Sequence, residues 1–434
     1  MTREVVVVSA VRTAIGTFGG SLKDVPPTEL GALVVKESLA RASVEGKDVG
    51  HVVFGHVVNT EPKDMYLSRV AAINGGCAEG TPAFNVNRLC GSGLQAIVSA
   101  AQAIQLGDAD VTIGAGAEVM SRAPFASLNM RWGARMGDTK MVDMMIGALH
   151  DPFHTIHMGV TAENIAAKWG ITREDQDKLA VESHNRAEKA WAENRFKDQI
   201  VPVTIKSRKG DVVFEKDEHF RAGAKIEDFQ KMKPVFVKEN GTVTAGNASG
   251  INDAASAVVL MEAGAAKARG IKPLARLVSY AHAGVEPEYM GIGPVPASRL
   301  ALRKAGLTMA DIDVIEANEA FAAQACAVAH DLQFDPAKLN PNGSGIGLGH
   351  PIGATGNILT VKAVHELQRT EFGIRRDTGR LQALLGPSQR QQSGILIRGT
   401  APGGQSAWGG GGPGRIEGDG KQGILDVSVS AGAK

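Results

Sequence analysis

Cysteine is scarce in this 434-residue chain: Cys77, Cys90 and Cys326 are the only three, and no two form a Cys-x-x-Cys pair. That argues against a disulfide framework and a cysteine zinc site, and it fits a reducing compartment such as the cytoplasm. Excess charge is lacking too. Lys and Arg number 47 against 46 Asp and Glu, a formal net charge of +1, which gives no basic field for nucleic acid and no acidic tail. No run of about 18 uninterrupted apolar residues occurs, so no membrane span is expected. The opening Met1-Thr2-Arg3-Glu4-Val5-Val6-Val7-Val8 is too short and too quickly polar for a secretory signal and reads as a buried strand.

What is present has the texture of an α/β protein. Residues 1–120 alternate short apolar runs, at 5–10, 52–55 and 111–114, with helical stretches at 30–42 and 92–106. From 121 to 250 Met, Arg, His and Lys become frequent. A polar helix over 173–193, rich in i,i+4 charge pairs, marks this segment as an insertion. The α/β texture then returns, and Leu339-Asn340-Pro341-Asn342-Gly343-Ser344-Gly345 echoes Asn85-Val86-Asn87-Arg88-Leu89-Cys90-Gly91-Ser92-Gly93. Both runs precede an apolar helix. The organisation expected is therefore a first half at 1–120 plus about 251–270, an inserted loop domain at 121–250, and a second half at 271–370. Residues 371–434 have little periodicity and read as an atypical Gly-rich tail that leaves the second half without its closing strands.

Cys90 is the sharpest chemical signal. An extended stretch runs into a turn, and an uncharged helix starts near Ser92, so the thiol meets the unpaired N–H groups and positive dipole end of that helix. Those features lower a thiol pKa and favour attack by the thiolate, whereas an inert buried cysteine would need no such turn. The second signal is His350, within Asn342-Gly343-Ser344-Gly345-Ile346-Gly347-Leu348-Gly349-His350-Pro351-Ile352-Gly353. Leu348 stands where G-x-G-x-x-G needs its third glycine and no P-loop lysine follows, so a nicotinamide-dependent oxidoreductase is disfavoured. A His–Cys pair is a standard way to activate a thiol. Asn318-Glu319, after an apolar strand, could hold a water or a carbonyl oxygen. The polar loop Gly246-Asn247-Ala248-Ser249-Gly250 opens a small-residue segment suited to backbone contact with a ligand. His150, His154 and His157 have spacing a metal could use, but no carboxylate or cysteine partner accompanies them, so none is expected.

Taken together and in order, Asn87-Arg88-Leu89-Cys90-Gly91-Ser92-Gly93, His157-Met158-Gly159, Gly246-Asn247-Ala248-Ser249-Gly250, Asn318-Glu319-Ala320-Phe321-Ala322 and Gly349-His350-Pro351-Ile352-Gly353-Ala354 resemble the signatures of the thiolase family, over about residues 1–370. Bacterial biosynthetic β-ketothiolases (acetyl-CoA C-acetyltransferases) are the most similar in pattern. The resemblance implies a five-layered αβαβα duplication with a loop domain between two similar halves. It implies that Cys90 carries the acyl group, that His350 activates it, and that Asn318 holds a water that stabilises an oxyanion. Ser249, Ala248, His157 and Met158 would line the CoA channel, and Phe321 and Met290 the acyl pocket. It further implies acetyl-CoA, CoA and 3-ketoacyl-CoA as substrates, no resident cofactor, and a homo-oligomer, dimer or tetramer, in the cytoplasm. The chain departs from the family in one respect. The second catalytic cysteine, in Cys-x-Gly-Gly-Gly-x-Gly downstream of the histidine, has no counterpart after Cys326, which points to impaired condensation or to a degenerate acyl-CoA-binding protein.

Overall fold

The computed structural model describes residues 3–208, 210–371, 382–386 and 391–399. Nine principal strands are β1 (Val5–Thr13), β2 (His51–Gly55), β3 (Ala83–Val86), β4 (Val111–Val119), β5 (Asn252–Glu262), β6 (Ala275–Gly284), β7 (Val314–Ala317), β8 (Gln382–Gly386) and β9 (Gln391–Gly399). They form one sheet in the order β7-β8-β9-β6-β1-β5-β4-β2-β3. The principal helices are α1 (Pro27–Ala42), α2 (Leu67–Asn74), α3 (Ser92–Leu106), α4 (Met158–Trp169), α5 (Arg173–Ala192), α6 (Pro294–Ala305), α7 (Ala322–Leu332) and α8 (Thr355–Glu371).

The sheet is a duplication. In the first half β1-β5-β4 pair antiparallel and β4-β2-β3 parallel. In the second, β6-β9-β8 pair antiparallel, β8-β7 parallel, and Leu339 bridges parallel to Ile315 of β7 where β3 stands in the first. Even the irregularities match: the register shifts between Val7 and Ser9 in β1 and between Leu277 and Ser279 in β6. The halves join where Val6 and Val7 pair with Arg276 and Ala275.

Alternation along the strands sets the layers. Val6, Val8 and Val11 of β1 face an outer core with Leu30 and Val34 of α1, whereas Val5, Val7 and Ala10 face a central core with Leu94 and Ile97 of α3 and Val361 and Val364 of α8. In β9, Ile395 and Ile397 face the same central core, and Leu396 joins Leu302 of α6 on the far side. Helix, sheet, helix pair, sheet and helix thus make five layers. The near absence of charge along Ser92–Leu106 follows from lying between two sheet halves. Residues 121–250 carry α4 and α5. The latter starts at a Thr172–Asp175 capping box and has four i,i+4 ion pairs, among them Arg173–Asp177 at 2.8 Å and Lys178–Glu174 at 2.7 Å.

The expectation that the second half lacks its closing strands is overturned. Both β8 and β9 are present and seat it fully in the sheet. Their signal was weak because each apolar run is short and flanked by glycine, glutamine and arginine, and such runs carry no period that separates strand from helix. The rest of the supposed tail, including the glycine run 409–412, lies outside the described residues.

Ile395 is fully buried against the central core. Ile395→Ala should therefore destabilise the protein by about 2–5 kcal/mol, read from the denaturation midpoint at constant slope. A change below about 0.5 kcal/mol would place this strand outside the core.

Candidate active site

Strand β3 delivers the chain to a tight turn. Asn87 Oδ1 accepts from Leu89 N at 2.9 Å, Ser92 Oγ accepts from Arg88 N at 2.8 Å, and Leu89 adopts φ +46°. Cys90 sits at the exit of this strained turn, immediately before α3. His350 arrives from the other half. A single helical turn, Gly345–Leu348, ends at Gly349 with φ +110°. A Cβ on Gly349 would lie 2.5 Å from Asn252 Cγ, and Asn252 Oδ1 accepts from His350 N at 2.9 Å. The residue before the histidine therefore has to be glycine for both conformation and space.

The first turns of α3 and α8 pack directly on each other. A Cβ on Gly93 would lie 2.7 Å from Asn357 N, and one on Gly356 would lie 2.5 Å from Leu94 N. This contact brings Cys90 and His350, 260 positions apart, to 2.8 Å between Sγ and Nε2. Both are buried, at 3% and 5% exposure, so no water layer separates them. His350 Nδ1 lies 2.7 Å from Thr355 Oγ1, at the start of α8. Asn318 Nδ2 is 3.4 Å from both ring nitrogens. Asn318 Oδ1 is buried and has no hydrogen-bond partner.

Burial dominates the electrostatics. It pushes the Cys90 thiol well above its ordinary value, and it lowers His350 to about 4. Burial thus works against the expectation of a thiol depressed by its place at a helix start: desolvation pushes Cys90 up. The resting pair is a neutral thiol beside a neutral imidazole, and the imidazole is free to accept the thiol proton when an electrophile arrives.

A cavity of about 240 Å³ opens on the pair. Cys90 and His350 line it together with Ser249, Ala248, His157, Met158, Phe321 and Met290. Asn318 lies behind His350, beside a separate small void that Thr355 and Lys362 also line. His157 caps α4 by accepting from Gly159 N at 3.0 Å, and its ring stacks on Phe236 with centroids 4.7 Å apart. His150 is turned to Ile146 O at 2.8 Å and His154 to Glu288 at 3.6 Å, so the three histidines do not converge on one point.

Sequence reasoning missed the apolar walls Met120, Ile146, Leu149, Phe236, Ile251 and Ile352, which carry no chemical signature. It also missed Glu118. This residue is buried on β4, accepts from Val57 N at 2.9 Å and Val58 N at 3.1 Å, and is pushed up by burial. A lone carboxylate in the otherwise apolar strand VTIGAGAEV was the available clue.

Comparison with known proteins agrees with this geometry. Residues 5–264 match the family described as the thiolase N-terminal domain, and residues 271–376 match the thiolase C-terminal domain. Over 371 residues the chain is 71% identical to the beta-ketothiolase BktB of Cupriavidus necator, covering 86% of this chain and 94% of that protein. It is 50% identical over 374 residues to an acetyl-CoA acetyltransferase of Syntrophomonas wolfei, covering 85% and 94%. Among solved structures, the Bacillus anthracis acetyl-CoA acetyltransferase superposes with TM-score 0.87 at 45% identity, covering 92% of this chain and 99% of its own. Human mitochondrial 3-ketoacyl-CoA thiolase in complex with CoA gives TM-score 0.87 at 40% identity, covering 92% and 98%.

The burial of His350 has a pH signature. Its folded pKa of about 4 lies below the value of about 6.5 in an unfolded chain, so the unfolded state binds the proton first. Its contribution to stability is complete above about pH 6.5 and is lost as pH falls toward 4. Relative to His350→Gln, the wild-type protein should lose ground in denaturation free energy across that window and hold a constant offset above it. A difference that stays flat from pH 7 to 4.5 would contradict the burial of this imidazole.

Proposed function

The chain belongs to the thiolase family, and from that premise we propose that it is an acetyl-CoA C-acetyltransferase working through an acyl thioester on Cys90. The observation that carries the reading is the 2.8 Å contact between Cys90 Sγ and His350 Nε2 on the wall of an apolar cavity. The reaction begins when Cys90 Sγ attacks the thioester carbonyl as its proton passes to His350 Nε2. Collapse of the tetrahedral adduct expels the CoA sulfur, which takes that proton, and leaves the acyl group on Cys90. Asn318 contributes amide N–H groups beside the ring, either directly or through a water, toward an oxygen that becomes negative. Ser249, Ala248, His157 and Met158 flank the pantetheine path, and Phe321 and Met290 confine the acyl group. No cofactor enters these steps, since the substrates are the CoA thioesters themselves. We place the enzyme in the cytoplasm as a homo-oligomer. Among the described residues no helix is long and apolar enough to cross a membrane.

Carbon–carbon bond formation makes a further demand. The α-carbon of a second acetyl-CoA must lose a proton before it attacks the acyl-Cys90 carbonyl and displaces the cysteine sulfur. Family members use a second cysteine for this. Here the other two thiols are Cys77 and Cys326, and neither lines the cavity. We therefore propose that acyl transfer to Cys90 persists while condensation and thiolysis are impaired. Removing one positioned acid or base lowers such rates by about 10²–10⁴. The alternative reading, acyl-CoA binding without turnover, rests on the same missing thiol.

Incubation with acetyl-CoA followed by peptide mass spectrometry should find one acetyl group on the Cys90 peptide, absent in Cys90→Ala and slowed in His350→Asn. Acetoacetyl-CoA thiolysis should run at least about 10²-fold below the usual enzyme range of about 1–10³ per second. Full-rate thiolysis would overturn the impairment, and acetylation elsewhere would overturn the assignment of Cys90.

A further inference from the structure

For His350 to take a proton from Cys90, its Nε2 must be the unprotonated nitrogen, and the tautomer is set by what the other nitrogen meets. Nδ1 meets a hydroxyl, Thr355 Oγ1, at 2.7 Å. That hydroxyl also lies 2.9 Å from Pro351 O, a carbonyl that can only accept. When the hydroxyl donates to Pro351 O, which also accepts from Ala354 N and Thr355 N at 2.9 Å, Oγ1 accepts from Nδ1–H and Nε2 is left to accept from Cys90 Sγ. Both Thr355 and His350 are buried, so water cannot readily substitute for the hydroxyl. Asn318 Nδ2 is more distant, 3.4 Å from each ring nitrogen, and Glu118, the carboxylate buried nearby, accepts from the amides of Val57 and Val58.

We infer that Thr355 is the positioning residue of this site, a neutral hydroxyl that fixes the tautomer and aim of His350 where many nucleophile–base pairs use a carboxylate. This deepens the proposed acyl-transfer role of His350 and rests on that reading. A hydroxyl has a consequence that a carboxylate lacks. It orients the ring while stabilising an imidazolium less than a carboxylate would, which favours a neutral resting pair whose proton moves when the acyl carbonyl is in place. Helix geometry explains how the hydroxyl reaches both partners, because Thr355 opens α8 one turn after Pro351 and its Oγ1 returns to the carbonyl four residues back.

Thr355→Val keeps the shape and removes the hydroxyl, whereas Thr355→Ser keeps the hydroxyl. Two readouts independent of CoA thioesters decide the matter: alkylation of Cys90 by iodoacetamide at neutral pH, and nitrogen-15 NMR of the histidine rings, which distinguishes protonated from unprotonated nitrogens. The wild type and Thr355→Ser should show His350 protonated on Nδ1 and should alkylate within about threefold of each other. Thr355→Val should shift the proton toward Nε2 and slow alkylation by about 10–100-fold, the loss expected when a buried donor is left unpaired. If Thr355→Val does not fold, the wild-type tautomer decides alone. A wild-type proton on Nε2, a Thr355→Ser variant as slow as Thr355→Val, or an unaffected Thr355→Val would each overturn the inference. Failure of acetyl-CoA to acylate a Cys90 that alkylates as expected would count only against the proposed function.

Discussion

The close approach of two helix N-termini is the constraint on which the rest depends. Gly93 in α3 and Gly356 in α8 each leave too little room for a Cβ against the backbone of the other helix. With that contact made, the two halves of a duplicated sheet share one central layer, and the turn before each helix is directed at the same point. Cys90 comes from one turn and His350 from the other. The duplication supplies the symmetry, and the chemistry arises from breaking it: equivalent places in the two halves hold a nucleophile in one and a base in the other. Both helices also present their positive ends there, so negative charge that develops on sulfur or on an acyl oxygen lies where unpaired N–H groups favour it.

Burial gives this arrangement its particular electrostatics. A thiol and an imidazole removed from water are each driven to the neutral form. The site therefore holds no standing thiolate, and Cys90 becomes nucleophilic as its proton passes to His350 with an electrophile in place. Keeping buried polar groups satisfied without adding charge needs neutral partners, and the site supplies them as Thr355 Oγ1, Asn252 Oδ1 and the backbone oxygen of Pro351.

Much of this was legible in the residues. The uncharged run after Cys90 announced a helix covered on both sides, and the echo between the Cys90 turn and the run after Leu339 announced the duplication, which the paired sheet orders reproduce, with the isolated Leu339–Ile315 bridge in the place of β3. The crowding of the glycines beside the pair, Gly349 against Asn252 and Gly93 against Asn357, needed the fold. The closing strands β8 and β9 were illegible because Gln-Ala-Leu-Leu-Gly and Ser-Gly-Ile-Leu-Ile-Arg-Gly are too short to declare a period. Their stability comes from neighbours distant in sequence. The thiol was read as depressed because the helix start is visible in the sequence, whereas the depth of its burial is not. Thr355 went unremarked for a similar reason: a threonine near a glycine run has no signature until its hydroxyl is seen facing an imidazole.

The most direct measurement is a crystal structure of the protein after exposure to acetyl-CoA. The account predicts continuous density from Cys90 Sγ into an acetyl group, His350 Nε2 within hydrogen-bond reach of that sulfur, and the pantetheine lying along Ser249 and Met158. An unmodified Cys90 with His350 turned away, or an acetyl group carried by another residue, would contradict it.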